Sequence, residues 1–178
     1  HFGIACMVQP VNRGKGAALR RGFDAAVAAG ARWVLTMDAD GQHSVEDIKA
    51  FLEEAKTNPS AGLIIGARET RVGRMPPARI LSNTITSAIL SVLTGRRILD
   101  SQCGFRLYAA DMLRRVALMY RRFEMESEVI LKAAHAGFPV SFVRVQTLYC
   151  SDSSHISHLK DTLRWTVAVI RTWLDLRR

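Results

Sequence analysis

Trp33-Val34-Leu35-Thr36-Met37-Asp38-Ala39-Asp40 is the stretch that decides how this chain folds. Its first five residues form an apolar run suited to a buried strand, and two carboxylates follow where that strand emerges. Residues two apart on an extended chain point the same way, so Asp38 and Asp40 leave the strand end as a pair. Hard divalent cations such as magnesium take oxygen ligands of this kind while gripping substrate phosphates, and Gln42 lies within reach as a neutral oxygen donor. Carboxylates at strand ends also cap helices and solvate turns, so the surrounding sequence has to choose.

Upstream, Ile4–Val8 reads as a strand. The turn Asn12-Arg13-Gly14-Lys15-Gly16 follows, then a helix from about Ala17 to Ala29 with Leu19, Phe23 and Val27 at helical spacing and Gly30 as C-cap. Downstream, Ser44 is placed to open a helix with Asp47 three residues later, the helix carries Ile48, Phe51 and Leu52, and Asn58-Pro59 ends it. Leu63–Gly66 reads as another buried strand. This alternation predicts an α/β fold, a mainly parallel sheet with helices on both faces. Such sheets bind ligands at the carboxyl ends of their strands, which places the glycine turn at 12–16 and the aspartates at 38–40 on one edge.

The region 68–79 is basic and interrupted by Gly73 and Pro76-Pro77, so it reads as a loop carrying Arg68, Arg71, Arg74 and Arg79. An apolar helix is expected over Ser82–Leu93, and Asp100–Arg106 leads into a strand and then a helix near Asp111. A further helix is expected over Glu126–Ala136 and a strand over Val140–Val145. The tail from Ser157 has Leu159, Leu163, Val167, Ile170 and Leu174 in a helical stripe with arginines around it, the pattern of an interfacial helix or of an amphipathic helix docked on its own domain.

The 178 residues suffice for one cored domain, and the net charge of +9 points to an anionic partner: nucleic acid, an acidic membrane surface or a phosphorylated substrate. Cys6, Cys103 and Cys150 form no paired metal-ligand spacing and no complete disulfide framework. The apolar runs fall short of the roughly 18–20 residues that span a bilayer. Because His1 runs almost directly into a strand-like segment, the chain is expected to be truncated at its N-terminus.

Taken in order, N-x-G-K-G at 12–16, D-A-D-G-Q-H at 38–43, G-A-R at 66–68, D-S-Q-C-G-F-R at 100–106 and F-E-M-E at 123–126 closely resemble the family-2 glycosyltransferases of the dolichol-phosphate mannose synthase type, bacterial polyprenyl-phosphate glycosyltransferases included. The resemblance implies a GT-A fold, Rossmann-like and incomplete at the N-terminus, since the family's earlier P-x-Y-N-E-like and D-D-G-S-like segments do not occur here. It implies a partial catalytic domain over residues 1–154, which leaves 155–178 as the C-terminal amphipathic helix, interfacial or docked.

The implied reaction transfers a hexose, with inversion, from a nucleotide diphosphate sugar to a polyprenyl phosphate such as dolichyl or undecaprenyl phosphate. It would use Mg2+ or Mn2+ at the cytoplasmic face of the membrane, with peripheral membrane contact and no nucleic acid. Asp38, Asp40 and Gln42 are the implied metal ligands. An anionic phosphate nucleophile needs positioning rather than a strong base, and the resemblance puts Arg68 and Arg79 nearest the acceptor phosphate, with Ser82 or Asn83 beside them. Catalytic roles are thus expected for Asp40, Arg68, Arg79 and Asp100, and substrate contacts for Lys15, Asp38, Ser82, Asn83, Gln102 and Arg106. Glu124 and Glu126 are placed to orient neighbouring groups, and Ser154-His155 resembles a segment near the diphosphate in bacterial members. Lys15 is not in a Walker A loop, because no Ser or Thr follows it.

Two alternatives make different demands. Transfer to a saccharide or protein hydroxyl requires a carboxylate base, Asp100 or Glu126. A basic nucleic-acid-binding module requires aromatic residues among the basic ones, and the arginine loop has none.

Overall fold

The computed structural model describes residues 4–68, 77–146 and 158–178. Arg71 and Arg74 of the arginine loop, and Ser154-His155, lie outside the described residues. One sheet contains β1 (Trp33–Thr36), β2 (Leu63–Arg68), β3 (Arg106–Ala109) and β4 (Val140–Val145), in the order β1-β3-β2-β4. Around it are helices α1 (Lys15–Ala28), α2 (Ile48–Thr57), α3 (Pro77–Thr94), α4 (Ala110–Arg115), α5 (Glu124–His135) and α6 (His158–Asp175).

β2 and β4 pair in parallel, from Leu63 opposite Val140 to Arg68 opposite Val145. β3 is antiparallel to both its neighbours, with Arg106 opposite Thr36 on one side and Ile65 on the other. The sheet is therefore mixed: β1, β2 and β4 run one way and β3 runs back between β1 and β2. The segment 100–105 explains the reversal. Asp100 is hydrogen-bonded at the end of β2, and the carbonyl of Gly104 accepts from Thr36 Oγ1 at the end of β1. A strand that starts at this carboxyl edge must run away from it.

The expected strand at Ile4–Val8 does not form. Ile4, Met7 and Val8 are exposed and the segment joins no ladder among the described residues. An extended apolar segment becomes a strand only when its N–H and C=O groups are paired.

Local chemistry sets the helix boundaries. α1 is alanine-rich, and Gly30, at φ 81°, closes it by donating to Val27 O at 3.1 Å while Ala31 N reaches Ala26 O at 3.0 Å. Ser44 Oγ accepts from Glu46 N, so it caps a single 3₁₀ turn that feeds α2, and Asp47 turns away to accept from the amide of Gln146 at 2.8 Å. α3 begins at Pro77, five residues before the expected start, because proline is preorganised for a first helical turn. Arg79 thereby moves from the loop onto a helix.

The core lies between the sheet and α2, α3 and α5. Phe51, Leu63, Ile64, Ile65, Phe105, Leu107 and Met125 are buried, and the Phe51 and Phe105 rings pack 4.5 Å apart. Burying side chains of this size contributes roughly 1.5–3 kcal/mol each. α6 docks on α5 through Ala168, Val169 and Thr172, with Trp165 Nε1 donating to Ser127 Oγ at 2.8 Å.

Candidate active site

The carboxyl edge of the sheet collects side chains from six segments. From the end of β1, Asp38 turns toward the first residue of α1. Lys15 Nζ lies 2.7 Å from Asp38 Oδ1, 3.0 Å from Oδ2 and 2.8 Å from Oε1 of Glu126 in the first turn of α5. Burial alone would lower the Lys15 pKa, but Glu126 and Asp38 overcome it and the ammonium is held above its ordinary range.

Three glycines make this approach possible. A side-chain carbon on Gly14 or Gly16 would press on the backbone of Arg121 and Arg122, and one on Gly104 would run into Asp38 and Lys15. Gly14 also sits at φ 94°, in the region that favours glycine. The motif glycines at 14 and 16 are thus needed for close packing at the start of α1.

Asp40 faces solvent, with Oδ1 accepting from the amide of Gln42 at 3.0 Å. The two aspartates therefore diverge: one is held by lysine and one is open. His43 lies behind them against Phe105, ring centroids 5.0 Å apart, with a buried Nδ1 that has no hydrogen-bond partner. Burial lowers its pKa, against the opposing pull of Asp38 and Asp40.

At the end of β2, Arg68 grips Asp100 in a fork: Nε to Oδ2 at 2.8 Å and Nη2 to Oδ1 at 3.0 Å. The amides of Arg68 and Gln102 also donate to Asp100, which is only 2% exposed. Desolvation would push the Asp100 carboxyl up, but the Arg68 hydrogen bonds and charge dominate and hold it below its usual range. Gln102 Nε2 donates to Ser82 Oγ at 3.1 Å and Thr86 Oγ1 at 3.3 Å, tying this loop to α3. Arg79 lies half-buried one turn before Ser82.

Two residues expected to contact substrate, Arg106 and Asn83, are buried. Arg106 is fully buried, donating to the carbonyls of Cys103 at 2.6 Å, Ser101 at 2.7 Å and Glu126 at 2.8 Å, so it braces the 100–106 loop from beneath. A cation on a strand between two neighbours has to point into the protein or out of it, and carbonyls draw this one in. Asn83 is also buried, with Oδ1 accepting from Ser87 Oγ at 3.3 Å, while exposed Ser82 faces the edge. Asp100 is saturated by Arg68 and two amides, which leaves it poorly suited to act as a base.

Sequence reading missed Gly104 as a steric requirement and Glu128, whose carboxylate accepts from the amides of Met119 and Tyr120 and pairs with Lys132. Gly104 meets side chains from distant segments, which no local signal marks, whereas the Glu128–Lys132 pair has the i,i+4 spacing of a helical ion pair.

The residues at the β1 end suit a divalent ion in part. Among the described residues no three acidic, histidine or cysteine side chains gather into a cage. Asp40 presents an open carboxylate with Gln42 beside it, the donor set of an ion that draws its remaining ligands from a diphosphate and water. Such an ion would be held by Asp38 and Asp40, with Gln42 beside them, and would supply charge stabilisation to phosphate oxygens.

Comparison with known proteins gives this edge a setting. The family model described as Glycosyl transferase family 2 matches residues 1–119. The chain is 30% identical over 143 residues to the UDP-N-acetylglucosamine–dolichyl-phosphate N-acetylglucosaminyltransferase of Methanococcus voltae, covering 78% of this chain and 57% of that protein. It is 29% identical over 141 residues to the undecaprenyl-phosphate mannosyltransferase of Micrococcus luteus, covering 68% of this chain and 57% of that one. The chain thus spans little more than half the length of these relatives. Its fold is similar to that of glucosyl-3-phosphoglycerate synthase from Mycobacterium tuberculosis, crystallised with Mn2+ and UDP-glucose, at TM-score 0.64 and 17% identity, covering 93% of this chain and 56% of that one.

Proposed function

The chain belongs to glycosyl transferase family 2, and from that membership we propose that it transfers a hexose, with inversion, from a nucleotide diphosphate sugar to a polyprenyl phosphate. The observation that carries this reading is the grouping, at one sheet edge, of an open carboxylate at Asp40, a held lysine at Lys15 and the Arg68–Asp100 fork. The relatives named for dolichyl and undecaprenyl phosphate acceptors support the acceptor class.

In the proposed step an acceptor phosphate oxygen attacks the anomeric carbon as the bond from that carbon to the donor diphosphate breaks, so the nucleotide diphosphate departs with both electrons. The attacking oxygen is already anionic and no side chain has to remove a proton. A bound Mg2+ or Mn2+ would offset the charge that builds on the leaving diphosphate. Asp38, Asp40 and Gln42 would hold the ion. Lys15 would meet the donor phosphates, Arg79 and Ser82 would orient the acceptor phosphate, and the Arg68–Asp100 pair would fix the loop between them. Gln102, tied to Ser82, would keep that loop against α3.

The reading sets the protein at the cytoplasmic face of a membrane, held peripherally. No helix among the described residues is long and apolar enough to cross a bilayer. α6 supports surface contact because it has two apolar sides. One docks on α5, and on the other Leu163, Val167, Ile170 and Leu174 are 47–67% exposed beside Arg164 and Arg171. Residues 1–154 would then be the catalytic part and 155–178 the interfacial helix.

The test is transfer of labelled hexose from a panel of UDP- and GDP-sugars to polyprenyl phosphate in detergent, with the wild type against Asp40→Asn. The expected result is labelled lipid with one donor and a loss of roughly 10²-fold in the variant. Equal transfer by both proteins would sink the metal assignment, and transfer to a free saccharide in place of the lipid would sink the acceptor.

A further inference from the structure

Lys15 occupies the carboxylate that the proposed donor site also needs. Its ammonium lies 2.7–3.0 Å from three carboxylate oxygens, two on Asp38 and one on Glu126, and donates a hydrogen bond to Asp38 Oδ2. Both oxygens of Asp38 thus face the ammonium. A divalent ion on the same aspartate would stand beside a like charge in a partly buried setting, where Coulomb repulsion is less screened than in water.

We infer that Lys15 is a resident counter-cation for Asp38 which must change partners when the donor arrives, with Glu126 as the anchor it keeps. This rests on the proposed reading of Asp38 and Asp40 as donor-site carboxylates.

The surroundings support a change of partner over a swing into solvent. Gly14 and Gly16 let the first turn of α1 press on the backbone of Arg121 and Arg122, and Ala17 N donates to Arg121 O at 2.9 Å, which fixes the root of the side chain. Gly104 closes one side, since a side-chain carbon there would sit 2.9 Å from Nζ. Glu126 is itself held, with Oε2 4.0 Å from the buried Arg106 guanidinium and its carbonyl accepting from the same group. The ammonium can therefore turn away from Asp38 without leaving Glu126. A diphosphate at this edge brings new anionic oxygens for the hydrogens it frees, and at the same time vacates Asp38.

The consequence is thermodynamic coupling. A metal ion alone competes with Lys15 and binds weakly, a diphosphate alone meets uncompensated aspartates, and the two together relieve both costs. Each must raise the other's affinity by the same factor.

The test measures Mn2+ binding to the full chain by the electron paramagnetic resonance signal of the free ion, with and without UDP. In the wild type UDP should tighten Mn2+ binding at least about tenfold. In Lys15→Met, Mn2+ alone should bind roughly tenfold tighter than to wild type, and the UDP effect should shrink. Lys15→Arg should behave like wild type in Mn2+ alone. A merely structural role for Lys15 predicts weaker metal binding in Lys15→Met, so an unchanged or weaker affinity in a folded variant overturns the inference. Additive binding of Mn2+ and UDP by the wild type overturns it without any variant. Absence of Mn2+ binding by every protein, with or without UDP, overturns the metal reading itself and this inference with it.

Discussion

The guanidinium of Arg68 lies in a two-bond fork on the carboxylate of Asp100, Nε 2.8 Å from Oδ2 and Nη2 3.0 Å from Oδ1, with both side chains less than a tenth exposed. They come from the end of β2 and from the loop before β3, and their pairing joins two strands that point in opposite directions.

Removing the charge from one partner should be costly. Asp100→Asn keeps the shape but removes the buried charge from the Arg68 fork, and an equilibrium urea denaturation should show a loss of about 3 kcal/mol. The pH dependence has a defined sign. Because the folded carboxyl is held below its ordinary range, the pair's contribution is complete above the unfolded aspartate pKa of about 4 and is lost as pH falls through the lower folded value. The stability gap between wild type and Asp100→Asn should therefore stay constant above that range and close below it.

Arg106 should behave as a structural brace. Its three donor nitrogens serve three different backbone carbonyls, and lysine can reach one at most with comparable geometry. Arg106→Lys should cost about 2–4 kcal/mol through the carbonyls left unpaired, read as a lower urea midpoint. A fully stable Arg106→Lys protein with weakened donor binding would restore the direct substrate role.

Gly104→Ala tests the tightness of the Lys15–Asp38 contact. The added methyl meets the Asp38 carboxylate and lies 2.9 Å from Lys15 Nζ, so one of the two must move. Binding of UDP with Mn2+, followed by calorimetry, should weaken by roughly tenfold while the far-ultraviolet circular dichroism stays native. Unchanged binding would show that the edge adapts freely.

Cys103 should be silent. It is fully buried, and burial with the nearby Asp100 charge pushes its thiol up to about 12. Iodoacetamide at pH 8 should label the exposed Cys6 and leave Cys103 unmodified until denaturant is added, as read by peptide mass spectrometry.

The outward face of α6 should carry the membrane contact. Leu163→Ser with Ile170→Ser leaves the docked residues Ala168, Val169 and Thr172 untouched. Sedimentation with anionic phospholipid vesicles should fall by roughly tenfold with helicity retained, and wild-type binding should weaken with salt. Equal sedimentation of both proteins would place the contact elsewhere.

Much of the framework was legible because it is written over short distances. The apolar run before Asp38, the glycine after α1 and the helical spacing of Leu19, Phe23 and Val27 each report a local preference, and β1, α1, α5 and β4 lie within a few residues of their expected places. Ile4–Val8 was misread by the same logic, since β propensity does not supply the neighbour that a strand needs. Strand direction predicts the turn at 12–16 and the aspartates at 38–40 on one edge, whereas Arg68 reads as part of a loop.

By itself, then, the sequence determined the elements, the family resemblance and the sheet edge, because periodicity, turn residues and motif order act along the chain. Only the tertiary structure decided which charges face one another. That Lys15 holds Asp38 and Glu126, that Arg68 is claimed by Asp100, that Arg106 turns inward and that α6 is apolar on opposite sides all depend on segments far apart in the chain. Burial removes water as a partner, so each of those charges had to find its complement in whatever the fold brought within about 3 Å.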